Sequence, residues 1–150
     1  MPKITPFLWF NDKAEEAMNL YVSIFKNSRA GRVTRSGGKV MSVTFTLEGQ
    51  EFMALNGGPE YHFTPAISLF VSCKTQEEVD ELWEELSAGG KIDRCGWLRD
   101  RYGLSWQIIP AGLGEMLGDS DPARAQRVMQ AMLKMDKIDI AELKKAHAGR

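Results

Sequence analysis

The stretch Cys95–Pro110, CGWLRDRYGLSWQIIP, decides the fold of this 150-residue chain. It holds an apolar segment with a tryptophan, a polar turn with a glycine, and a second apolar segment that a proline ends. Two β-rich runs around a glycine-containing loop of about three to five residues predict a β-hairpin. Alternation along the second strand places Trp106 and Ile108 on one face and Gln107 on the other. Gln107 is therefore a polar side chain in an apolar strand, and what it faces is the main question about function.

Length and composition limit the function classes. A chain of 150 residues favours a single domain that buries roughly two-thirds of its unfolded surface. A net charge of −1 gives no electrostatic footprint for nucleic acid or for an anionic membrane. No apolar run approaches the ~20 residues of a transmembrane helix, and the N-terminus lacks the pattern of a signal peptide. We therefore expect a cytoplasmic protein without nucleic-acid or membrane partners, in which Cys73 and Cys95 are reduced thiols.

The chain repeats one order of elements. Residues 4–58 predict β-α-β-β-β, with Asn11 and Asp12 offering the helix N-cap. Residues 66–110 predict the same order, with Thr75 as the helix N-cap. The two segments are interpreted as modules of one domain that spans residues 1–150.

The two modules also match residue by residue. A shift of 62 positions aligns their helices and pairs Tyr21 with Trp83, whereas a shift of 54 aligns their last strands and pairs Phe52 with Trp106. Amphipathic helices can match by chance, but the shared element order favours a true duplication.

Residues 111–150 lie outside the repeat and predict a helical tail. Asp121 followed by Pro122 is a cap with proline at the first helical position. Asp139 and Glu142 form a capping-box-like start for a last short helix. A methionine-rich apolar face lies between these caps, and we interpret it as core packing, with a partner surface as the alternative.

Five segments of the chain together carry a family resemblance. They read PFLWFNDKAEEAMNLYVSIFKNSR, FMALNGGP, ISLFVSCKTQEEVDELWEELSAGG, CGWLRDRYGLSWQIIP and RVMQAMLKMDKIDIAELKKA. In combination they resemble the PhnB-like branch of the vicinal oxygen chelate superfamily, which includes glyoxalase I, extradiol dioxygenases and bleomycin-resistance proteins. Members of this branch often carry the label 3-demethylubiquinone-9 3-methyltransferase. The resemblance implies an α+β fold of tandem βαβββ modules, whose curled mixed sheets surround a shared cavity, commonly in a homodimer.

The resemblance also implies where a metal would bind. Members with a metal place ligands on the first and last strand of each module. On the repeat alignment these positions are Thr5, Met53, Ile67 and Gln107. A hydroxyl, a thioether and an aliphatic carbon are poor partners for a hard divalent cation, so we expect a metal-free site without a cofactor. His62 and His147 have no second ligand at helical or strand spacing and are interpreted as solvated side chains.

No sequence motif supports the methyltransferase label. Binding of S-adenosylmethionine in the common α/β fold calls for a glycine-rich turn after a first parallel strand. The glycine pairs of this chain stand instead in hairpins and between elements. Nucleophile arrangements are equally absent, because neither Cys73 nor Cys95 has a histidine at a predictable neighbouring position and no Gly-x-Ser-x-Gly occurs.

Strand parity predicts which side chains line the cavity. The residues expected on the concave face are Phe7, Trp9, Met53, Leu55, Leu69, Val71 and Gln107. An aromatic and apolar lining with one convergent polar group is typical of a small-molecule pocket. The alternative is that these residues only fill the core between the sheets.

Three functions are compatible with these patterns. The first is a metal-free protein that binds a small apolar, aromatic or amphipathic molecule. The second is an enzyme of the superfamily, a lyase, transferase or dioxygenase-like protein, whose cavity uses Gln107 and Cys95. The third is a ligand-free module that forms a dimer through its tail and sheet edges.

Overall fold

The computed structural model describes residues 2–150 and divides into two compact units, the first ending at Phe63 and the second beginning at Thr64. The first unit contains β1 (Phe7–Phe10), α1 (Ala14–Ile24), β2 (Ser28–Ser36), β3 (Lys39–Leu47) and β4 (Gln50–Asn56). The second contains β5 (Ser68–Cys73), α2 (Gln76–Ser87), β6 (Lys91–Ile92), β7 (Trp97–Arg99), β8 (Ser105–Pro110), α3 (Leu113–Leu117), α4 (Pro122–Leu133) and α5 (Ile140–Ala148). The predicted α+β order and helical tail are confirmed, whereas α3 was not predicted.

Both units build the same four-stranded mixed sheet. The strand orders are β1-β4-β3-β2 and β5-β8-β7-β6. In each sheet the first strand pairs parallel with the last, and the remaining pairs are antiparallel. One topology realised twice is what the predicted duplication requires. Among residues 2–150, none of the helices combines the length and the apolarity that crossing a bilayer demands.

One face of the first sheet packs against α1. Alternation along β1 buries Leu8 and Phe10, because neighbouring side chains of a strand point to opposite faces. Phe45 and Phe52 stack on the same face with ring centroids 5.4 Å apart. Tyr21 of α1 is fully buried and lies 6.2 Å from the ring of Phe45. The apolar stripe of the helix and the apolar face of the sheet therefore close one core.

The tail packs against the end of β8 in a separate hydrophobic core. Its buried members are Ile109, Leu113, Val128, Ile138 and Leu143. Met132 and Met135 pack against this core and are partly buried, which confirms the core interpretation for these two side chains. Met129 is exposed, so the predicted face is not buried throughout.

Two of the helix caps come from adjacent residues, whereas the cap of α1 comes from a distant one. Thr75 and Asp139 accept backbone N–H bonds from Glu78 and Glu142, both at 3.1 Å, as predicted. The predicted cap of α1 is wrong, because the N-cap residue is Lys13 and it makes no side-chain cap bond. Asn56 takes that role from the end of β4: its Oδ1 accepts the N–H of Ala14 at 2.8 Å.

Strand β2 forms one edge of the first sheet. Most of its nine residues are exposed, and three of them are the arginines Arg29, Arg32 and Arg35. Its pairing with β3 shifts register between Ala30 and Val33, which marks a bulge. The strand therefore bends where its outer edge is free.

Candidate functional site

A buried carboxylate holds the β7–β8 hairpin. Asp100 is only 3% exposed, and its Oδ1 accepts the backbone N–H groups of Tyr102 and Leu104 at 2.9 and 3.1 Å. Its Oδ2 accepts the indole N–H of Trp106 at 2.9 Å. Trp106 is buried in the core, as predicted. Since successive side chains of a strand alternate, this anchor directs Gln107 to the opposite face of the sheet.

Gln107 lies in an aromatic row. Its Nε2–H donates to the Ser68 hydroxyl oxygen at 2.9 Å. Phe70 of β5 and Trp97 of β7 are its register partners, so the three side chains stand side by side across three strands. Gln107 is half-buried, whereas Phe70 is 62% exposed. We name the set Ser68, Phe70, Trp97 and Gln107 the Gln107 patch.

The sheet register corrects part of the predicted lining. Leu69 pairs with Trp106, and Val71 pairs with Ile108. Both side chains therefore lie on the face that packs against α2, and their predicted place beside Gln107 is wrong. Phe70 occupies that place instead.

The cause is a difference of one residue between the modules. Three residues separate β1 from α1, but only two separate β5 from α2. The helices begin at Ala14 and Gln76, 62 positions apart, whereas the equivalent strand residues Phe7 and Phe70 lie 63 positions apart. Because side chains alternate with a period of two, a slip of one residue moves a whole strand to the wrong face.

The same slip changes the implied metal positions. The second-module counterpart of Thr5 becomes Ser68 instead of Ile67. The four positions then carry two hydroxyls, the thioether of Met53 and the neutral amide of Gln107. These donors do not fit a hard divalent cation, which prefers carboxylate oxygens. Within residues 2–150, no group of three His, Cys, Asp or Glu side chains is arranged to hold a metal ion.

The two cysteines face away from the Gln107 patch. Cys73 is fully buried, and burial, with a smaller contribution from Glu78, raises the pKa of its thiol to about 12. Its thiol therefore stays protonated at neutral pH and is a poor nucleophile. The thiol of Cys95 donates to the carbonyl oxygen of Met132 at 3.6 Å, so it points to the tail. The structure does not bring the candidate pair Gln107 and Cys95 together.

The two histidines differ. His62 is exposed, as predicted. His147 is not simply solvated, because its Nε2 lies 2.7 Å from Oδ2 of Asp119 and both side chains are partly buried. The pKa of Asp119 is lowered, first by the backbone N–H of Asp121 and then by His147. This pair joins the end of α5 to the loop before α4.

The first unit carries the other predicted lining residues. Phe7 pairs with Met53 and Trp9 pairs with Leu55, so these four side chains share one face of the first sheet. Trp9 is partly covered by its own unit. Its indole N–H donates to the carbonyl oxygen of Gly58 at 3.0 Å, and the ring of Tyr61 stands edge-on with centroids 4.9 Å apart.

A polar groove of about 460 Å³ lies on the same face of the first sheet and was not predicted. It is lined by Pro2, Asn27, Ser28, Arg29, Thr46, Gly49 and Glu51. Arg29, Thr46 and Glu51 are register partners across three strands. Polar residues alternate along β3, but only the register reveals that they meet an arginine and a glutamate.

A buried hydroxyl completes the face that carries the Gln107 patch. Ser105 is 1% exposed and is the register partner of Ser68 and Arg99. In the described part of the chain, its Oγ is the buried side-chain polar atom without a hydrogen-bond partner. A buried polar group without a partner lowers stability by roughly 1–3 kcal/mol.

Comparison with known proteins agrees with this topology. The family model described as 3-demethylubiquinone-9 3-methyltransferase matches residues 2–109. None of the curated proteins compared with the chain matches it. The helices α3, α4 and α5 therefore lie beyond the matched segment.

Solved structures extend the comparison. A PhnB protein from Bacillus cereus, described as a 3-demethylubiquinone-9 3-methyltransferase, is 42% identical with a TM-score of 0.70, covering 73% of this chain and 100% of its own. A protein from Pseudomonas aeruginosa is 19% identical with a TM-score of 0.61, covering 73% and 98%. The fosfomycin resistance protein FosX from Listeria monocytogenes, complexed with Mn(II) and sulfate, is 18% identical with a TM-score of 0.57, covering 79% and 98%. The last two likenesses concern the fold alone.

Proposed function

We propose a binding function from one premise: the chain belongs to the PhnB-like family described as 3-demethylubiquinone-9 3-methyltransferase, within the glyoxalase and bleomycin-resistance superfamily. The function is metal-independent binding of a small aromatic or amphipathic molecule. The observation that carries the proposal is the Gln107 patch, in which a half-buried amide stands between Phe70 and Trp97 on a sheet face.

The composition of the patch supports this proposal. Small-molecule sites combine aromatic surface with a few polar groups that fix the orientation of the ligand. Phe70 lies in the middle of β5 and is 62% exposed. A ligand that covers this ring buries apolar surface, which favours binding. Burying apolar surface contributes about 25 cal/mol per Å².

The chemistry of the site favours binding over metal catalysis or methyl transfer. The donor set at the implied metal positions does not fit a divalent cation. The alternative enzyme built on Gln107 and Cys95 has less support, because the Cys95 thiol donates to the Met132 carbonyl. The described strands and helices also lack the glycine-rich turn with which the common α/β fold binds S-adenosylmethionine.

Replacing Phe70 with alanine is expected to weaken binding of a fluorescent naphthalene probe about tenfold, or about 1.4 kcal/mol. Stability in urea should change by less than about 0.5 kcal/mol, because the side chain is mostly exposed. Ile67→Ala is the matched control, since Ile67 is 69% exposed in the same unit but lies outside the patch. Equal effects of the two variants on the probe, or loss of probe binding in EDTA, would contradict the proposal.

The proposal includes a homodimer. The superfamily resemblance implies paired subunits, and Met129 and Leu133 expose apolar surface on α4. An interface of standard size would bury about 1,600 Å² in total. Light scattering should then give twice the 16.8 kDa chain mass, and a monomer mass at micromolar concentration would count against the dimer.

A further inference from the structure

We propose that the Gln107 patch selects flat, neutral heteroaromatic molecules that carry a lactam edge, meaning an N–H donor next to a carbonyl acceptor. This inference rests on the proposed function and names the ligand class of that site. Three properties of the patch carry it: the hydrogen-bond capacity that Gln107 retains, the aromatic rings on both sides of the amide, and the pairing of the nearest charges.

The hydrogen-bonding groups that Gln107 retains favour a ligand with a lactam edge. A primary amide has two N–H donors and a carbonyl acceptor. One N–H of Gln107 is used by the Ser68 oxygen. Among residues 2–150, no donor reaches the Gln107 carbonyl oxygen and no acceptor takes the second N–H. The Ser68 oxygen accepts this bond with a lone pair, so the bond does not use the hydroxyl proton, which can donate to a ligand.

A ligand therefore has to supply both a hydrogen-bond donor and a hydrogen-bond acceptor. A lactam offers an N–H to the Gln107 carbonyl and a carbonyl oxygen to the remaining donors. A ligand with acceptors only would bury the Gln107 carbonyl without a partner, and an unmade bond of this kind costs roughly 1–3 kcal/mol. The discrimination thus comes from a penalty against the wrong ligand as much as from attraction to the right one.

The strand register favours a flat ligand. Phe70 and Trp97 flank Gln107 on neighbouring strands, and adjacent strands lie about 4.8 Å apart. Each ring therefore stands about one strand spacing from the amide, where it can make an offset-stacked or edge-to-face contact with an aromatic ligand. A planar ligand can therefore meet the rings while its edge meets the amide.

The charged side chains on the same face favour a neutral ligand. Arg99 donates to both carboxylate oxygens of Asp93, at 3.1 and 3.3 Å. This pairing raises the pKa of Arg99 and uses two of its five N–H donors, so the guanidinium already has an anionic partner. Lys91 stands opposite Arg99 on the edge strand β6, so β7 separates it from Gln107. A carboxylate ligand would face the Gln107 carbonyl without an unpaired cation beside it.

The buried hydroxyl of Ser105 is an independent observation. It lies on the same face, two positions before Gln107, and has no partner within the described residues. A serine there costs stability that an alanine would not. This hydroxyl stands opposite Ser68 in the register, so the polar character of the patch continues along β8 beneath its surface.

The test compares four probes on the full chain: 2-quinolinone, 1-methyl-2-quinolinone, quinoline-2-carboxylate and naphthalene. We expect 2-quinolinone to bind about tenfold more tightly than its N-methyl analogue and than the carboxylate. Gln107→Leu, which keeps the volume but removes the amide, should abolish this preference, so that the two quinolinones bind with equal affinity. The wild-type comparison decides the matter even if the variant folds poorly.

The outcomes separate the two proposals. Naphthalene binding with equal affinity for the two quinolinones overturns the lactam inference alone. Tighter binding of the carboxylate than of 2-quinolinone also overturns it, because it identifies an anion site. Failure of all four probes to bind overturns the proposed function together with the inference.

Discussion

Asp100→Ala is expected to destabilise the fold by about 3–5 kcal/mol. The substitution leaves the indole N–H of Trp106 and the backbone N–H groups of Tyr102 and Leu104 without their acceptor. Each buried donor that loses its partner costs roughly 1–3 kcal/mol, and water that enters the vacated space recovers part of this. Urea unfolding monitored by tryptophan fluorescence measures the loss.

Two controls make this result specific. Asp12→Ala removes an exposed carboxylate and should change stability by less than about 0.5 kcal/mol. Trp106→Phe removes the indole donor, so the double variant with Asp100→Ala should lose less than the sum of the single variants. A loss below 1 kcal/mol for Asp100→Ala, at the scale of surface changes, would show that the carboxylate does not hold the hairpin.

Gly96→Ala is expected to cost about 2–5 kcal/mol by two mechanisms. Gly96 has φ of 83°, a left-handed conformation that costs an L-residue roughly 1–2 kcal/mol. A Cβ there would also lie 2.7 Å from Ile109 Cδ1 and 3.0 Å from the carbonyl oxygen of Ile108. Overpacking against a core side chain and backbone typically adds 1–3 kcal/mol.

The matched control is Gly103→Ala. Gly103 has φ of 87°, but a Cβ there would meet nothing within 4 Å. This variant should therefore lose only the conformational part, roughly 1–2 kcal/mol. The difference between the two variants in urea unfolding measures the packing part. Equal losses would mean that Ile109 and the Ile108 carbonyl move away from the new Cβ at no cost in stability.

Sequence patterns predicted the order of elements because periodicity is a local property. The hairpin of Trp97–Arg99 with Ser105–Pro110 is present, with Trp106 in the core and Gln107 on the other face. The caps at Thr75 and Asp139 also follow from neighbours within three residues. Each of these signals needs only a short window of the chain.

The errors come from distance and from register. Asn56 caps α1 from a position 42 residues beyond Ala14, and no local pattern announces such a partner. The repeat alignment followed the helices, whose pattern is long, and carried the short strand β5 along with them. One missing linker residue then placed Leu69 and Val71 on the wrong face and hid Ser68 and Phe70. A strand of six residues contains too little pattern to reveal that slip.

The arginines and the bulge of β2 have a consequence for behaviour at high concentration. An edge strand of nine residues offers free backbone groups to which a second copy could add, and such additions propagate into insoluble aggregates. Two copies that met edge to edge would bring Arg29 and Arg32 close to their counterparts, with like charges opposed. The shifted register between Ala30 and Val33 would also leave part of the ladder unmatched. We therefore expect this edge to resist aggregation through strand addition.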